Sequence, residues 1–162
     1  MTSMRGIPFE KHETIRFGLI GAGMRGRMLL HELLACEGLE VKAIADVCEQ
    51  SAALAGRLVT GAGQPAPAAL VGEQAWQRLL DLDLDLVYVA TPWDTHALYA
   101  AAAMESGKHV GVEVPAAWTL EECWPLVETS ERTRRHCVML ENCCYDYWET
   151  LVKRMARAGL FG

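Results

Sequence analysis

Positive charge is in deficit in this chain. Its 15 lysines and arginines stand against 21 aspartates and glutamates, a formal net charge of -6. Without a basic surplus there is no electrostatic footprint for a polyanion, and nucleic acid is not an expected partner. Long hydrophobic runs are also lacking. A membrane-spanning helix needs ~20 apolar residues, and the nearest approach is the small-residue stretch from Ala97 to Met104, so no membrane segment is expected. The first fifteen residues carry Arg5 and Lys11 but no sustained apolar stretch, so they do not read as a secretory signal and are expected to form a loose arm. The six cysteines, at positions 36, 48, 123, 137, 143 and 144, include no C-x-x-C pair, and the adjacent Cys143 and Cys144 are poorly placed to chelate one ion. Neither a metal site nor a disulfide framework is expected. The thiols read as small, reduced core residues, which fits a cytoplasmic location. No internal repeat is visible.

What is present is an alternation of short apolar runs with longer helical patterns. The runs are Ile15 to Ile20, Glu40 to Ala45, Leu84 to Ala90, His109 to Val112 and Cys137 to Leu140. Strands this short, apolar on both faces and separated by helices, belong to a parallel sheet covered on both sides. The expected fold class is therefore α/β, a doubly wound and mainly parallel sheet. With 162 residues, 51% of them hydrophobic, the chain has material for one full core. Residues 15–158 read as that domain, 1–14 as an arm and 159–162 as the start of a connection. A first helix is expected from Arg25 to about Cys36, stopped at Gly38. Asp94 is expected to cap a helix running through the alanines to Ser106, with Gly107 ending it. Thr119 and Glu122 form a capping box for the next helix, whose first turns Pro125 should kink or shift, and a last helix runs from about Tyr145 to Ala158. The segment from Gly61 to Gly72, with two prolines and no periodicity, reads as a surface connection.

The chemistry begins at GAGMRG, residues 21 to 26, which follows a strand and opens a helix. In that context Gly21 permits a tight turn, Gly23 lets the backbone approach a pyrophosphate, and Gly26 lets helix and strand pack closely. The unpaired N–H groups of the helix start then face the phosphates. Twenty positions after Gly26, at the end of the second strand, stands Asp46. An acid there accepts from both ribose hydroxyls and repels a 2′-phosphate, so NAD is expected rather than NADP; the plainer alternative is that Asp46 caps the helix starting near Cys48. Arg25 either contacts the pyrophosphate or is solvated. Ligands of such sheets bind outside the carboxyl ends of the strands, which directs attention to Thr91 through His96, Glu113 through Pro115, and Glu141 through Tyr145. For these the plainer alternatives are a core aromatic at Trp93, a cap at Asp94, and ordinary loop residues at Glu113 and Asn142.

These residues resemble the Gfo/Idh/MocA class of nicotinamide oxidoreductases, through GAGMRG, VATPWDTH (89 to 96) and GKHVGVEVP (107 to 115), over nearly the whole chain. Within it, MLENCCYDYWETLV (139 to 152) resembles glycoside hydrolase family 109, the NAD-dependent α-N-acetylgalactosaminidases. The wider class usually has lysine where Val114 stands, and valine moves no proton, so the resemblance implies a departure from its ordinary alcohol dehydrogenation. It implies cofactor contacts by Met24 and Arg25 at the phosphates, Asp46 at the ribose, Trp93, Asp94, Thr95 and His96 beside the nicotinamide half, and Glu113, Val114 and Asn142. Cys143 and Cys144 are taken as packing residues. The resemblance further implies a glycosidase that oxidises carbon 3 of the sugar, eliminates the aglycone, adds water and re-reduces, so that NAD ends unchanged, one of the departures from the two-carboxylate plan. In that family the proton-transfer residues lie mainly on a second α/β domain. None is expected within these 162 residues, which alone should bind NAD weakly or not at all and hydrolyse nothing. Apolar surface is then expected around Leu160 and Phe161; a homo-oligomer is left open. The competing expectations are an NAD-dependent sugar or polyol dehydrogenase and a non-catalytic NAD-binding module.

Overall fold

The structure, a computed structural model, describes residues 3–161. Six strands, β1 (Ile15–Ile20), β2 (Leu39–Asp46), β3 (Ala68–Val71), β4 (Leu86–Val89), β5 (His109–Val112) and β6 (Cys137–Met139), form one sheet in the order β3-β2-β1-β4-β5-β6, and every neighbouring pair is parallel. Six helices connect or follow them: α1 (Met24–Leu33), α2 (Glu49–Gly61), α3 (Ala75–Leu80), α4 (His96–Glu105), α5 (Leu120–Thr133) and α6 (Tyr147–Arg157). The continuous apolar strands are buried on both faces. On one face Leu30 of α1 and Val59 of α2 pack with Phe17, Leu19 and Ile44. On the other, Leu79 of α3 and Met104 of α4 pack with Val87 and Val110. This is the expected doubly wound sheet, and its order reverses between β1 and β4, where a crevice opens at the carboxyl ends.

Helix ends follow their punctuation. Leu34 and Ser106 close α1 and α4, and Gly38 and Gly107 take positive φ just beyond them. Thr119 and Glu122 form the reciprocal capping box, and α5 continues through Pro125. Four expectations are corrected. Residues 68–71, inside the supposed connection, pair with β2 as an edge strand, and their alanine-rich, largely exposed pattern carries no alternation. Asp94 caps nothing. It lies in a 3-10 turn, Trp93–Thr95, closed by the Thr95 hydroxyl donating to Pro92 O at 2.7 Å, and the N-cap of α4 is Thr95. Five of the six cysteines, including Cys143 and Cys144, are exposed and only Cys137 is half-buried; all are free. The arm is docked, with Phe9 stacked on His136 at 3.9 Å and Glu10 paired with Arg135 at 3.3 Å, because β6 ends the sheet and leaves aromatic surface for it to cover. Leu160 and Phe161 are exposed.

At the opposite end of the sheet, Arg16 binds Asp85 through its backbone N–H (2.8 Å) and its guanidinium (2.6 Å), and also pairs with Asp83. The hydrogen bonds from Arg16 hold the Asp85 carboxyl at about 2, against about 3.9 in an unfolded chain. A depressed folded-state value stabilises the fold above the unfolded value and is lost as pH falls through the folded one, so a contribution on the order of 2 kcal/mol disappears between about pH 4 and pH 2. Asp85→Asn should lower the urea midpoint at pH 7 and flatten the pH dependence below pH 4.

Candidate functional site

Strand β1 runs out at Ile20 into a bend built from glycines. Gly21 has φ +92°, and a Cβ there would stand 2.5 Å from Ala90 O of the neighbouring strand's end. A Cβ on Gly26 would stand 2.0 Å from Gly21 O, so α1 can lie this close to the bend only without a side chain at that position. Gly23 differs: nothing lies within 4 Å of its Cβ position. It is the N-cap of α1 and supplies no side-chain cap, which leaves the first-turn N–H groups facing outward for an anion.

The carboxylate of Asp46, at the tip of β2, reaches this bend. Its Oδ2 accepts from Ala22 N at 2.6 Å and its Oδ1 from Cys48 N at 2.7 Å. It therefore braces the glycine bend and also caps the chain entering α2, while both oxygens keep lone pairs for a ligand. Cys48 sits there with its thiol held below the ordinary range, chiefly by the backbone N–H of Ser51 and then by the Ser51 hydroxyl. Gly21, Gly23, Asp46, Thr91, Pro92 and Thr95 line one cavity of about 340 Å³ astride the crevice. Past the end of β4, Thr91 and Thr95 share a hydroxyl hydrogen bond of 2.7 Å, and Trp93, more than half exposed, lies 5.6 Å from the Trp118 ring.

His96 occupies a different place from its neighbours. It is fully buried, with Nδ1 2.7 Å from Pro115 O and Nε2 2.8 Å from Thr91 O, so the ring ties the loop after β4 to the loop after β5. Both ring nitrogens lie within hydrogen-bond distance of backbone carbonyls, so the ring serves as a strut between the two loops. At the end of β5, Glu113 pairs through Oε2 with Arg25 Nε at 3.1 Å, which stitches the first turn of α1 to the far side of the crevice. Its other oxygen, Oε1, is buried and has no hydrogen-bond partner. Tyr88 beneath it is pushed above the usual phenol range by burial and then by the negative Glu113. Val114 precedes Pro115 across a cis peptide bond. Met24 is exposed, and Asn142 lies in an exposed 3-10 turn after β6, its Nδ2 3.9 Å from Cys143 Sγ.

The structure thus gathers the glycines, Asp46 and Thr95 round one cavity, joins Arg25 to Glu113, and sets Asn142 at the outermost strand on that side. Glu73, Trp76 and Tyr99 line the same cavity and went unread in the sequence. The carboxyl-edge rule would have pointed to Glu73 had β3 been recognised. Among the described residues no group of three or more His, Cys, Asp or Glu side chains could hold a metal ion, and no helix is long and apolar enough to cross a membrane.

A glycine bend, an open helix start and a strand-end acid at the switch point define a dinucleotide-binding Rossmann domain. The family model described as an oxidoreductase family with an NAD-binding Rossmann fold matches residues 15–141, and the chain belongs to this Gfo/Idh/MocA family. It is closely related to family 109 glycosyl hydrolases. It is 52% identical to a glycosyl hydrolase family 109 protein of Streptomyces filamentosus, over 99% of this chain and 33% of that protein. It is 43% identical to an alpha-N-acetylgalactosaminidase of Bacteroides fragilis, over 99% of this chain and 38% of the relative. The chain therefore spans roughly a third of the length of such relatives. A scyllo-inositol dehydrogenase from Lactobacillus casei, solved with NAD(H) and scyllo-inositol, shares the fold with a TM-score of 0.79 at 18% identity, over 92% of this chain and 42% of that one.

Proposed function

We propose that this chain is the NAD-binding domain of a glycosidase that hydrolyses N-acetylgalactosaminides by transient oxidation at carbon 3, elimination, water addition and re-reduction. Two observations support the two halves of the reading. For the cofactor, it is the Asp46 carboxylate bound to the glycine bend beside an open Gly23; for the sugar, it is the 43% identity to an alpha-N-acetylgalactosaminidase. The residues fit the cofactor. The Cβ position of Gly23 is open, so a diphosphate can approach the backbone at the start of α1, and both Asp46 oxygens keep lone pairs for a diol.

In this reading the backbone from Gly21 to Gly26, with Met24 and Arg25, holds the diphosphate, and Asp46 accepts from the adenosine ribose diol. The nicotinamide half lies toward Trp93, Asp94 and Thr95, with Glu113, Val114 and Asn142 along the same edge. His96 acts from below by fixing Thr91 and Pro115. Bound NAD supplies the reversible oxidation of one sugar carbon. Val114, apolar where the wider class places lysine, takes proton transfer off this edge and leaves it to groups elsewhere in the protein.

The test uses the product of the full reading frame with NAD and a nitrophenyl α-N-acetylgalactosaminide. Nitrophenol release with no build-up of NADH is the expected outcome. Stoichiometric NADH without release would place the protein among the sugar dehydrogenases, and retained NAD with neither product would make it a binding module.

A further inference from the structure

A polar cavity of about 310 Å³ opens at the amino ends of β1 and β5, at the opposite end of the sheet from the nucleotide crevice. On its rim stands His109, the first residue of β5, with a donor at each ring nitrogen. The backbone N–H of His136, just ahead of β6, donates to Nδ1 at 3.0 Å, and Arg135 Nη1 lies 3.4 Å from Nε2. A neutral imidazole keeps one nitrogen to accept with, whereas the imidazolium has none. A proton taken up here would therefore set N–H against N–H. The surrounding charges act in the same direction. Burial, then Arg135 and then His136, hold the ring below the ordinary histidine range; His12 of the arm adds to this and Glu10 of the arm opposes it. Across the cavity Arg16 is already bound to Asp83 and Asp85, and Lys108 donates to Ser106 O at 3.0 Å.

The N-terminal arm leans on the same ring. His109 and His136 stack with centroids 5.2 Å apart, and Phe9 lies on His136 at 3.9 Å. From there the arm runs back to Ser3 and Arg5, which help to line a groove with Leu126 of α5 and Met139 of β6. We infer that His109 is an acid-sensitive catch for this arm: proton uptake by its ring breaks the bond from His136 N–H, disturbs the stack under Phe9 and releases the strap from α5 and β6. Because the docked ring binds its proton less readily than a free one, docking is undisturbed above about pH 6.5 and weakens as pH falls below it. Release opens the groove beside Leu126 and Met139.

The test is NMR of the isotope-labelled chain. The Phe9 ring protons report the stack, the His109 ring nitrogens report its protonation, and the Val87 methyls in the core report the fold. The free-arm population should be about tenfold higher at about pH 5 than at about pH 7.5, the order of one lost hydrogen bond. The Phe9 and His109 signals should change with one midpoint while Val87 stays put. His109→Asn, whose side-chain oxygen can accept from His136 N–H without titrating, should keep the arm docked at both values. Titration of His109 with Phe9 unmoved would overturn the catch, whatever the behaviour of the variant. Release of the arm in His109→Asn at the same midpoint would overturn it as well.

Discussion

Gly26→Ala is expected to unfold the nucleotide bend, whereas Gly23→Ala, three residues away, leaves the fold intact and removes the ligand. The first methyl would lie 2.0 Å from Gly21 O, a backbone atom that cannot rotate aside, so α1 must back away from β1. Overpacking costs about 1–3 kcal/mol, and a clash against backbone belongs at the upper end. A loss near 3 kcal/mol corresponds to a fall in Tm of about 6–12 °C for a domain of this size. The second methyl meets nothing within 4 Å and Gly23 has φ -62°, so its Tm should stay within about 2 °C. NAD binding should fall in both variants, in Gly23→Ala because the added methyl fills the space where a diphosphate approaches. Calorimetric melting and ligand titration on the same samples separate the two effects. Equal melting of the two variants would contradict the geometry.

Asp46→Ala should also lower NAD affinity sharply. The carboxylate accepts from two backbone N–H groups, and its removal leaves Ala22 N and Cys48 N without that acceptor. That costs roughly 1–3 kcal/mol of stability. Two charge-assisted bonds to a ribose diol, at about 1.5–3 kcal/mol each, set the loss of affinity at a hundredfold or more. Asp46→Ser, which drops the charge and keeps a hydroxyl, should narrow the preference for NAD over NADP, since the acid no longer repels a 2′-phosphate. Unchanged NAD affinity in Asp46→Ala would leave Asp46 as a brace alone.

Elements that the residues themselves constrain were legible in the sequence. Strands β1 and β5 fall at the expected residues, Ile15–Ile20 and His109–Val112, because buried strands need unbroken apolar runs. The glycine bend was legible for a different reason: positive φ at Gly21 and the near-contact at Gly26 admit almost no other residue. Strand β3 was not, since an edge strand of alanines has little to bury and no pattern to show. The cysteines misled, because their small apolar side chains favour burial on average, whereas Cys36, Cys48, Cys143 and Cys144 fall in turns and helix ends at the surface. The Arg25–Glu113 pair joins residues far apart in the chain, and the Trp76–Tyr99 stack joins two helices; no local motif encodes either. The same holds for His96, whose ring spans Thr91 and Pro115 from two different loops.

The seam between β1 and β4 pairs Phe17 with Leu86, neighbours in space that lie far apart along the chain. Closing so wide a loop exacts its entropy before any native contact rewards it. The crevice therefore exists only once the two halves of the chain have met. A fragment that stopped short of β4 would own every glycine of the bend and still have no opposite bank for a nucleotide to rest against.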